Sequence, residues 1–467
     1  MKSQHLISDN FLLENDLAIA LFETAKTLPL VDYHNHVNPA HAASDRKFTN
    51  ISELWINEDP YKHRAMRING IAEQGITGAA SDRQKFLNWA KTVPKTLGNP
   101  LFHWTALELM RVFEIEEMLT AESAERIWKK CKEKLDTGEF SEIKILQRWN
   151  IEILCTSDDW LDDLEIHRKA MAVSGIRFFP SLRADKIMTF SEGFLSYSKK
   201  LAELTRQPIS NLNDLKTALT DRLAYFQEQS CKISDHALDG GFIFDLPSEE
   251  KAQSIFNDVL QGKTINRQET VQLQSYLLTF LGNEYGKLGW TMQLHIGAQR
   301  YTSSRLRRLA GGAGGYACIG QATDISSLCR FLDTLEQGDN LPGVILYTLN
   351  PADNAAFASL TGSFAEDGKP GKIQFGPAWW YNDHITGIIE QLTAISNYGL
   401  LSRFIGMTTD SRSILSFSRH EFFRRILCNL LAEWVAKGWL PYDEILLKQL
   451  VKDISYNNSK KLFIHDQ

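Results

Sequence analysis

Residues 28–36 read LPLVDYHNH, a short apolar run that ends in two histidines, His34 and His36. Short apolar runs that end in polar residues recur along the chain and have the length of buried parallel strands. The further runs are IEILC (151–155), IRFFPSL (176–182), WTMQL (290–294), VILYTL (344–349), KIQF (372–375) and FIGMTT (404–409). The position of the fourth run stays open, because CKIS (231–234) competes with GFIF (241–244).

Amphipathic segments of helical length lie between most of these runs, for example residues 270–287 and 383–398. Strand and helix in alternation, repeated about eight times, predict an α/β protein with the (β/α)₈ architecture of a TIM barrel. We expect one barrel domain over residues 1–467. A doubly wound open sheet is the alternative, but it usually begins with a Gly-rich phosphate loop, and none follows the first run.

The interval between His36 and Ile151 is far longer than an ordinary connection. Its sequence contains several helical patterns, so residues 45–148 are predicted to form a mostly helical insertion between strands 1 and 2. Insertions at the carboxyl end of a barrel commonly shape the site. Residues 419–439 are predicted to form a long helix on the outside of the barrel.

The composition is that of an ordinary globular protein. Of the 467 residues, 43% are hydrophobic and 23% are charged, and the formal net charge is −6. These values exclude a disordered chain, and the mild acidic excess argues against nucleic-acid binding. The six cysteines form no CxxC pair, and no signal peptide or membrane span is recognisable. We therefore expect a cytoplasmic enzyme with reduced thiols and no membrane contact.

His34 and His36 form an HxH pattern at the end of the first strand. Alternate residues of a strand point the same way, so both imidazoles can face one metal ion. Asp410 follows the eighth run, and strand 8 is the neighbour of strand 1 in a closed barrel. Two histidines and a carboxylate leave open coordination positions on Zn²⁺, Mn²⁺ or Fe²⁺. The alternative for Asp410 is an N-cap of the following helix.

Other polar side chains follow the remaining strands. His295 ends the fifth run, where a hydrogen-bonding or substrate role is favoured over a role as metal ligand. Arg183 ends the third run, Arg305 follows the fifth, and Arg412 follows Asp410 by two residues. Arginine pairs with carboxylates by a two-pronged hydrogen bond, so their convergence predicts an anionic small molecule as substrate.

Three aromatic residues lie in polar surroundings. Tyr61 occupies the dense charge cluster DPYKHRAMRINGI, whose simpler interpretation is a charged helix face. Trp379 and Trp380 follow the seventh run, where exposed indoles beside a polar pocket suit the face of a sugar, although tryptophan pairs more often serve packing.

The chain resembles the uronate isomerase family, also called glucuronate isomerase, a divergent branch of the amidohydrolase superfamily. Matching stretches run from residue 31 to residue 428. They are VDYHNHVNP, DPYKHRAMRINGI, CTSDDWLDDLEIH, FPSLRADK, ISDHALD, MQLHIGAQR, ILYTLNPADN, GKIQFGPAWWYND and GMTTDSRSILSFSRHEFFRRILC. The resemblance implies an amidohydrolase-type barrel, a divalent metal that is usually zinc, and interconversion of D-glucuronate with D-fructuronate and of D-galacturonate with D-tagaturonate.

The resemblance also implies roles for individual residues. His34, His36 and Asp410 match the metal ligands. Motif positions associated with the family's active site are occupied by Tyr61, Arg183, Asp235, His295 and Arg412.

The chain departs from the family at three places. Trp160 stands where the family usually has Pro, Ala352 where it often has Arg, and the loop 311–320 differs from the usual pattern. These changes affect substrate contacts more than the metal site and predict a shifted substrate preference.

The chemistry expected is movement of a proton from C2 to C1 of an open-chain hexuronate through an enediol. Asp410 is the preferred base, Tyr61 or His295 moves protons on oxygen, and Arg183 and Arg412 hold anionic groups. The alternative is a mononuclear metal-dependent hydrolase, in which Asp410 would deprotonate a bound water. A non-enzymatic sugar-binding protein is the third hypothesis. A homo-oligomer is also expected.

Overall fold

The computed structural model describes residues 7–191 and 193–464. The strands are β1 Leu30–Asp32, β2 Ile151–Cys155, β3 Asp158–Asp159, β4 Arg177–Phe179, β5 Ser181–Arg183, β6 Ile233–Leu238, β7 Thr291–Ile296, β8 Ala298–Gln299, β9 Cys318–Ile319, β10 Gly343–Thr348 and β11 Ile373–Phe375. The α-helices are α1 Asp16–Ala25, α2 Pro39–Ala43, α3 Ile51–Trp55, α4 Pro60–Ile68, α5 Asp82–Thr92, α6 Pro100–Phe113, α7 Ala124–Leu135, α8 Glu142–Arg148, α9 Glu165–Ser174, α10 Gly193–Thr205, α11 Leu212–Glu228, α12 Glu249–Leu260, α13 Arg267–Leu288, α14 Ser304–Ala310, α15 Ile325–Gln337, α16 Asn354–Leu360, α17 Ile385–Tyr398, α18 Ser418–Ala436, α19 Glu444–Lys452 and α20 Asn458–Lys460.

The main strands are parallel and follow one another in chain order. One sheet has the order β1-β2-β4, and a second has the order β11-β10-β7-β6-β5-β3. Pro180 lies between β4 and β5 and has no N–H to donate. It therefore divides one barrel strand, the third, into the two short strands β4 and β5. Since β2 pairs with β4 and β3 pairs with β5, the two sheets form one series of seven strand positions.

An eighth segment closes this series onto β1. The Asp410 N–H donates to the His34 carbonyl at 2.9 Å, and the His36 N–H donates to the Ser411 carbonyl at 2.8 Å. The fold is therefore the predicted (β/α)₈ barrel. The prediction of a regular strand at 404–409 is wrong, because side-chain hydrogen bonds replace the ladder there and Gly406 has a φ of 88°.

The buried carboxylate of Asp32 makes the side-chain part of this closure. Its Oδ1 accepts hydrogen bonds from Asn35 Nδ2 at 3.0 Å and Thr408 Oγ1 at 3.1 Å. Its Oδ2 accepts from the Thr409 N–H at 2.9 Å and lies 2.9 Å from His420 Nε2. One side chain thus joins the first strand, the eighth segment and the helix α18.

Of the two candidates for the fourth barrel strand, the structure selects residues 231–234 over residues 241–244. The strand β6 covers Ile233–Leu238, so Asp235 lies within it, whereas residues 241–244 form no strand. The two-stranded ribbon of β8 and β9 is antiparallel and lies after the fifth barrel strand.

Six helices, α3 to α8, lie between residues 45 and 148. Their buried side chains belong to the same hydrophobic core as those of the barrel. The division into one barrel domain with this segment as its insertion stays a prediction. The long helix predicted at 419–439 is α18, which covers Ser418–Ala436 and has buried residues on nearly every face. Among the described residues, no helix is both long and apolar enough to cross a bilayer.

We expect Asp32→Ala to lower the free energy of unfolding by about 3–5 kcal/mol, because it leaves several buried donors without an acceptor. Urea unfolding followed by circular dichroism measures the change. The exposed Asp367→Ala is the control and should stay within about 0.5 kcal/mol of the parent protein. A loss of under about 1 kcal/mol for Asp32→Ala would contradict the role in closure.

Candidate functional site

A cavity of about 490 Å³ opens at the carboxyl ends of the barrel strands. The structure brings ten of the predicted site residues to its wall. They are His34, His36, Tyr61, Arg183, Asp235, His295, Trp379, Trp380, Asp410 and Arg412. Residues from the first, third, fourth, fifth, seventh and eighth barrel positions therefore meet with Tyr61 of α4.

Asp410 lies at the centre of this group. Its Oδ1 is 3.0 Å from His36 Nε2 and 3.4 Å from His34 Nε2. Its Oδ2 accepts hydrogen bonds from the indole N–H groups of Trp379 at 2.8 Å and Trp380 at 2.7 Å. Burial raises the pKa of Asp410, but the hydrogen bonds from His34 and His36 outweigh it and hold the pKa well below its usual range. The carboxylate is therefore ionised at neutral pH.

The two tryptophans do more than the sequence predicts. Their rings line the cavity, as a sugar-facing role requires, but both indole N–H groups are committed to Asp410. They therefore orient this carboxylate whatever else they contact.

His295 is oriented by Asp235. His295 Nδ1 lies 2.8 Å from Asp235 Oδ1, while His295 Nε2 is buried and has no hydrogen-bond partner among the described residues. Burial lowers the pKa of His295 against the opposing effect of Asp235, so the ring is neutral at pH 7. A neutral ring that donates from Nδ1 presents the lone pair of Nε2, which is the arrangement of a metal-ligating histidine.

One ligand atom each of His34, His295 and Asp410 lies within 4.8 Å of the others. Two imidazoles and a carboxylate suit Zn²⁺, Mn²⁺ or Fe²⁺, and the unpartnered His295 Nε2 fits a cation, so these residues can hold a metal ion. The sequence favours His36 as the second histidine ligand. His36 contacts Asp410, but His295 completes the compact set.

The arginines of the cavity differ in how far they are already engaged. Arg183 is paired with Asp185 through Nε at 2.7 Å and with Asp235 through Nη1 at 3.3 Å. The guanidinium of Arg412 is exposed at the rim and makes no hydrogen bond or ion pair within the described part of the chain. Arg412 is therefore available to an anionic ligand, whereas Arg183 is held by protein carboxylates.

The prediction that Arg305 belongs to the site is wrong. Arg305 is exposed on α14 and does not line the cavity. Arg300 and Arg307 line it instead, and Arg300 stacks over the Trp380 ring at 4.8 Å. Arg300 immediately follows Gln299 of β8, a two-residue strand that is shorter than the apolar runs from which the barrel strands are predicted.

Tyr61 is presented by the first turn of α4. Asp59 caps this helix by accepting from the N–H groups of Tyr61 at 2.9 Å and Lys62 at 3.1 Å, and Pro60 occupies the first helical position. The Tyr61 hydroxyl is buried without a hydrogen-bond partner among the described residues. Burial raises the pKa of Tyr61, which therefore stays protonated and can donate to a ligand.

Only one of the three family departures touches the cavity. Trp160 is fully buried in the core, and Ala352 is exposed outside the wall. The loop 311–320 contributes Gly312, Ala313, Gly315 and Ala317 to the wall. The loop backbone packs closely against the start of α4, since a Cβ at Gly315 would lie 2.1 Å from the Pro60 carbonyl oxygen.

Comparisons with known proteins agree on one family. The family model described as glucuronate isomerase matches residues 3–463. A uronate isomerase of Flavobacterium johnsoniae is 44% identical over 466 residues, 99% of this chain and 100% of the relative. A uronate isomerase of Shouchella clausii is 46% identical over 461 residues, 98% of each chain. The crystal structure of uronate isomerase from Thermotoga maritima superposes with a TM-score of 0.92 at 33% identity, covering 98% of this chain and 99% of that one.

We expect Asp235→Asn to weaken Zn²⁺ binding by about 10- to 100-fold, because the carboxylate that orients His295 is lost. Competition with a chromophoric chelator measures the dissociation constant. Asp158→Asn is the matched control, since Asp158 Oδ1 lies 3.3 Å from His167 Nε2 in a pair outside the cavity. Equal Zn²⁺ affinities of the Asp235 variant and the parent protein would argue against His295 as a ligand.

Proposed function

The chain belongs to the glucuronate isomerase family, and on that premise we propose that it interconverts D-glucuronate with D-fructuronate and D-galacturonate with D-tagaturonate in hexuronate catabolism. The observation that supports this most directly is the content of one cavity. An ionised carboxylate, Asp410, lies beside two histidines, and an unpaired guanidinium, Arg412, stands at the rim. Isomerisation of a hexuronate needs both a group that accepts the C2 proton and a group that binds the C6 carboxylate.

We propose that a divalent ion, with zinc preferred and Mn²⁺ or Fe²⁺ as alternatives, is held by His34, His295 and Asp410, with His36 as a further contact of Asp410. When bound, the ion supplies Lewis acidity at the substrate oxygens. The protein's own contribution is to fix the ligands. Asp235 sets the tautomer of His295, and the two indoles hold Asp410 Oδ2 away from the histidines.

Asp410 is proposed to take the proton from C2 of the open-chain aldose. The electron pair of the C2–H bond then forms the C1–C2 double bond of an enediol, and the proton returns to C1 to give the ketose. Oxygen O1 must gain a proton and O2 must lose one in the same sequence. Tyr61 suits this transfer better than His295, because its hydroxyl is protonated and unpartnered, whereas His295 belongs to the compact ligand set.

Arg412 is proposed as the anchor of the C6 carboxylate. Arg183 is already neutralised by Asp185 and Asp235, so its role is to hold Asp235 and, through it, His295. This division separates two arginines that the sequence treats alike. The homo-oligomer and the cytoplasmic location expected from the sequence stay predictions.

A bridged two-metal form of the hydrolase finds little support, and the mononuclear form stays the alternative. A bridged two-metal site needs a carboxylated lysine at a strand end, but no lysine of the described chain lines the cavity. Lys232 precedes β6, at the end of the strand opposite to the site.

We expect the metal-loaded protein to convert D-glucuronate into a ketose in deuterated water, with product and label followed by NMR. Asp410→Asn should lower turnover by about 10²- to 10⁴-fold, since it removes the base. Unchanged circular dichroism would confirm that the variant is folded. Failure to form a ketose from either uronate, together with hydrolysis of an anionic amide or ester, would favour the hydrolase.

We expect Arg412→Met to raise KM for D-glucuronate by about 10- to 100-fold, because a charged hydrogen bond to C6 contributes about 1.5–3 kcal/mol. D-Glucose, which lacks the carboxylate, should be a poor substrate of both proteins. Arg305→Met removes an exposed arginine outside the cavity and should leave KM unchanged. A wild-type KM in the Arg412 variant would exclude the anchor role.

A further inference from the structure

Arg419 lies behind the wall of the cavity, in the first turn of α18, with its side chain 3% exposed. Its Nε and Nη2 atoms donate to Asp383 Oδ2, the former at 2.6 Å. Its Nη1 donates to the carbonyl of Thr409 at 2.5 Å. The guanidinium thus holds the residue that directly precedes Asp410, without lining the cavity itself.

Asp383 connects Arg419 to the tryptophans. The Asp383 N–H donates to the Trp380 carbonyl at 3.1 Å, so Asp383 ends the tight turn that presents the indoles. A single guanidinium therefore fixes both partners of the contact between Trp380 Nε1 and Asp410 Oδ2.

Both partners have unusual backbones. The φ of Asp410 is 47° and that of Trp380 is 48°, in the left-handed region that side chains other than glycine rarely occupy. Strained residues persist only where their surroundings over-determine them. Arg419 makes the hydrogen bond next to Asp410 and the ion pair at the end of the Trp380 turn, so it is placed to hold both conformations.

The same guanidinium also lies over two aromatic rings, those of Trp104 and Tyr61. Its central carbon lies 4.7 Å from the centre of the Trp104 ring and 5.4 Å from that of the Tyr61 ring. Trp104 in turn meets Tyr61 edge-to-face at 5.7 Å. Arg419 therefore also supports the position of the unpartnered Tyr61 hydroxyl.

We propose that Arg419 is a positioning residue of the isomerisation, which fixes Asp410 through Thr409, Trp380 through Asp383, and the Tyr61 ring by a cation–π contact. This inference rests on the proposed function. It requires arginine, because only a planar fork donates in several directions while stacking on aromatic rings, and lysine offers a point charge.

The test compares Arg419→Lys with the parent protein on D-glucuronate. Lysine keeps a cation beside Asp383 and loses the fork. We expect kcat to fall about 100-fold, since a displacement of about 1 Å in a catalytic group costs that much, while KM stays within about threefold because Arg412 is untouched. Circular dichroism and thermal melting of the same samples measure the folded fraction, because a loss of folded protein would also lower the apparent kcat at unchanged KM. A fall in kcat at full folded fraction with KM retained assigns the loss to positioning.

Arg424→Lys is the matched control. Arg424 is a buried arginine on the same helix, and it donates to the carbonyls of Ala25, Leu28, Pro29 and Ser455, away from the cavity. We expect a lower melting temperature with kcat unchanged. An unchanged kcat in Arg419→Lys, or an equal loss of kcat in Arg424→Lys, would overturn the proposal. An inactive parent protein would instead refute the proposed function.

A second variant guards against a folding defect. Arg419→Ala opens space for free guanidinium, and millimolar guanidinium should raise its kcat at least about tenfold, with no such gain for Arg424→Ala. A folded, inactive Arg419→Ala protein whose kcat guanidinium does not raise would count against the proposal. If Arg419→Ala does not fold, the kcat of Arg419→Lys decides.

Discussion

The hydrogen bonds of Asp32 are the constraint on which the rest of the site depends. A barrel has no free edge only if its last segment returns to its first strand, and here that return involves a segment without a regular ladder. The Asp32 carboxylate substitutes for the ladder by accepting from Thr408, from the Thr409 backbone and from the first strand's own loop. The contact of Asp32 with His420 also connects α18 to these hydrogen bonds.

The irregular closure is also what places Asp410. A regular eighth strand would hold its residues in extended conformation, whereas Asp410 adopts a positive φ and turns its carboxylate between two histidines and two indoles. The hydrogen bonds of Thr408 and Thr409 lie on the side of Asp410 that faces away from the cavity, and they stabilise this conformation. The strain is thus located at the proposed catalytic carboxylate and is balanced by buried polar contacts that do not reach the cavity.

Charge is distributed unevenly in this protein. The whole chain carries a formal charge of −6, but the cavity combines arginines with carboxylates that are mostly neutralised by their neighbours. Arg183 is paired with Asp185 and Asp235, whereas the guanidinium of Arg412 has no hydrogen bond or ion pair within the part of the chain that the structure describes. Pairing therefore matters more than the number of arginines, because only an unpaired guanidinium can bind a carboxylate without first losing a partner.

The sequence by itself predicted the class of fold and most of the residues that meet in the cavity, but it missed Arg300 and Arg307. Apolar runs ending in polar residues mark the carboxyl ends of barrel strands, while a charge cluster and the family resemblance pointed to Tyr61 and Asp235. It could not determine which partner each residue takes. The choice of His295 for the compact set, the commitment of both indoles to Asp410, and the separation of Arg412 from Arg305 depend on distances between segments far apart in the chain. The irregular eighth segment was decided by tertiary structure for the same reason. Its hydrogen bonds go to the side chains of Asp32 in β1 and Arg419 in α18, which no local pattern in residues 404–409 contains.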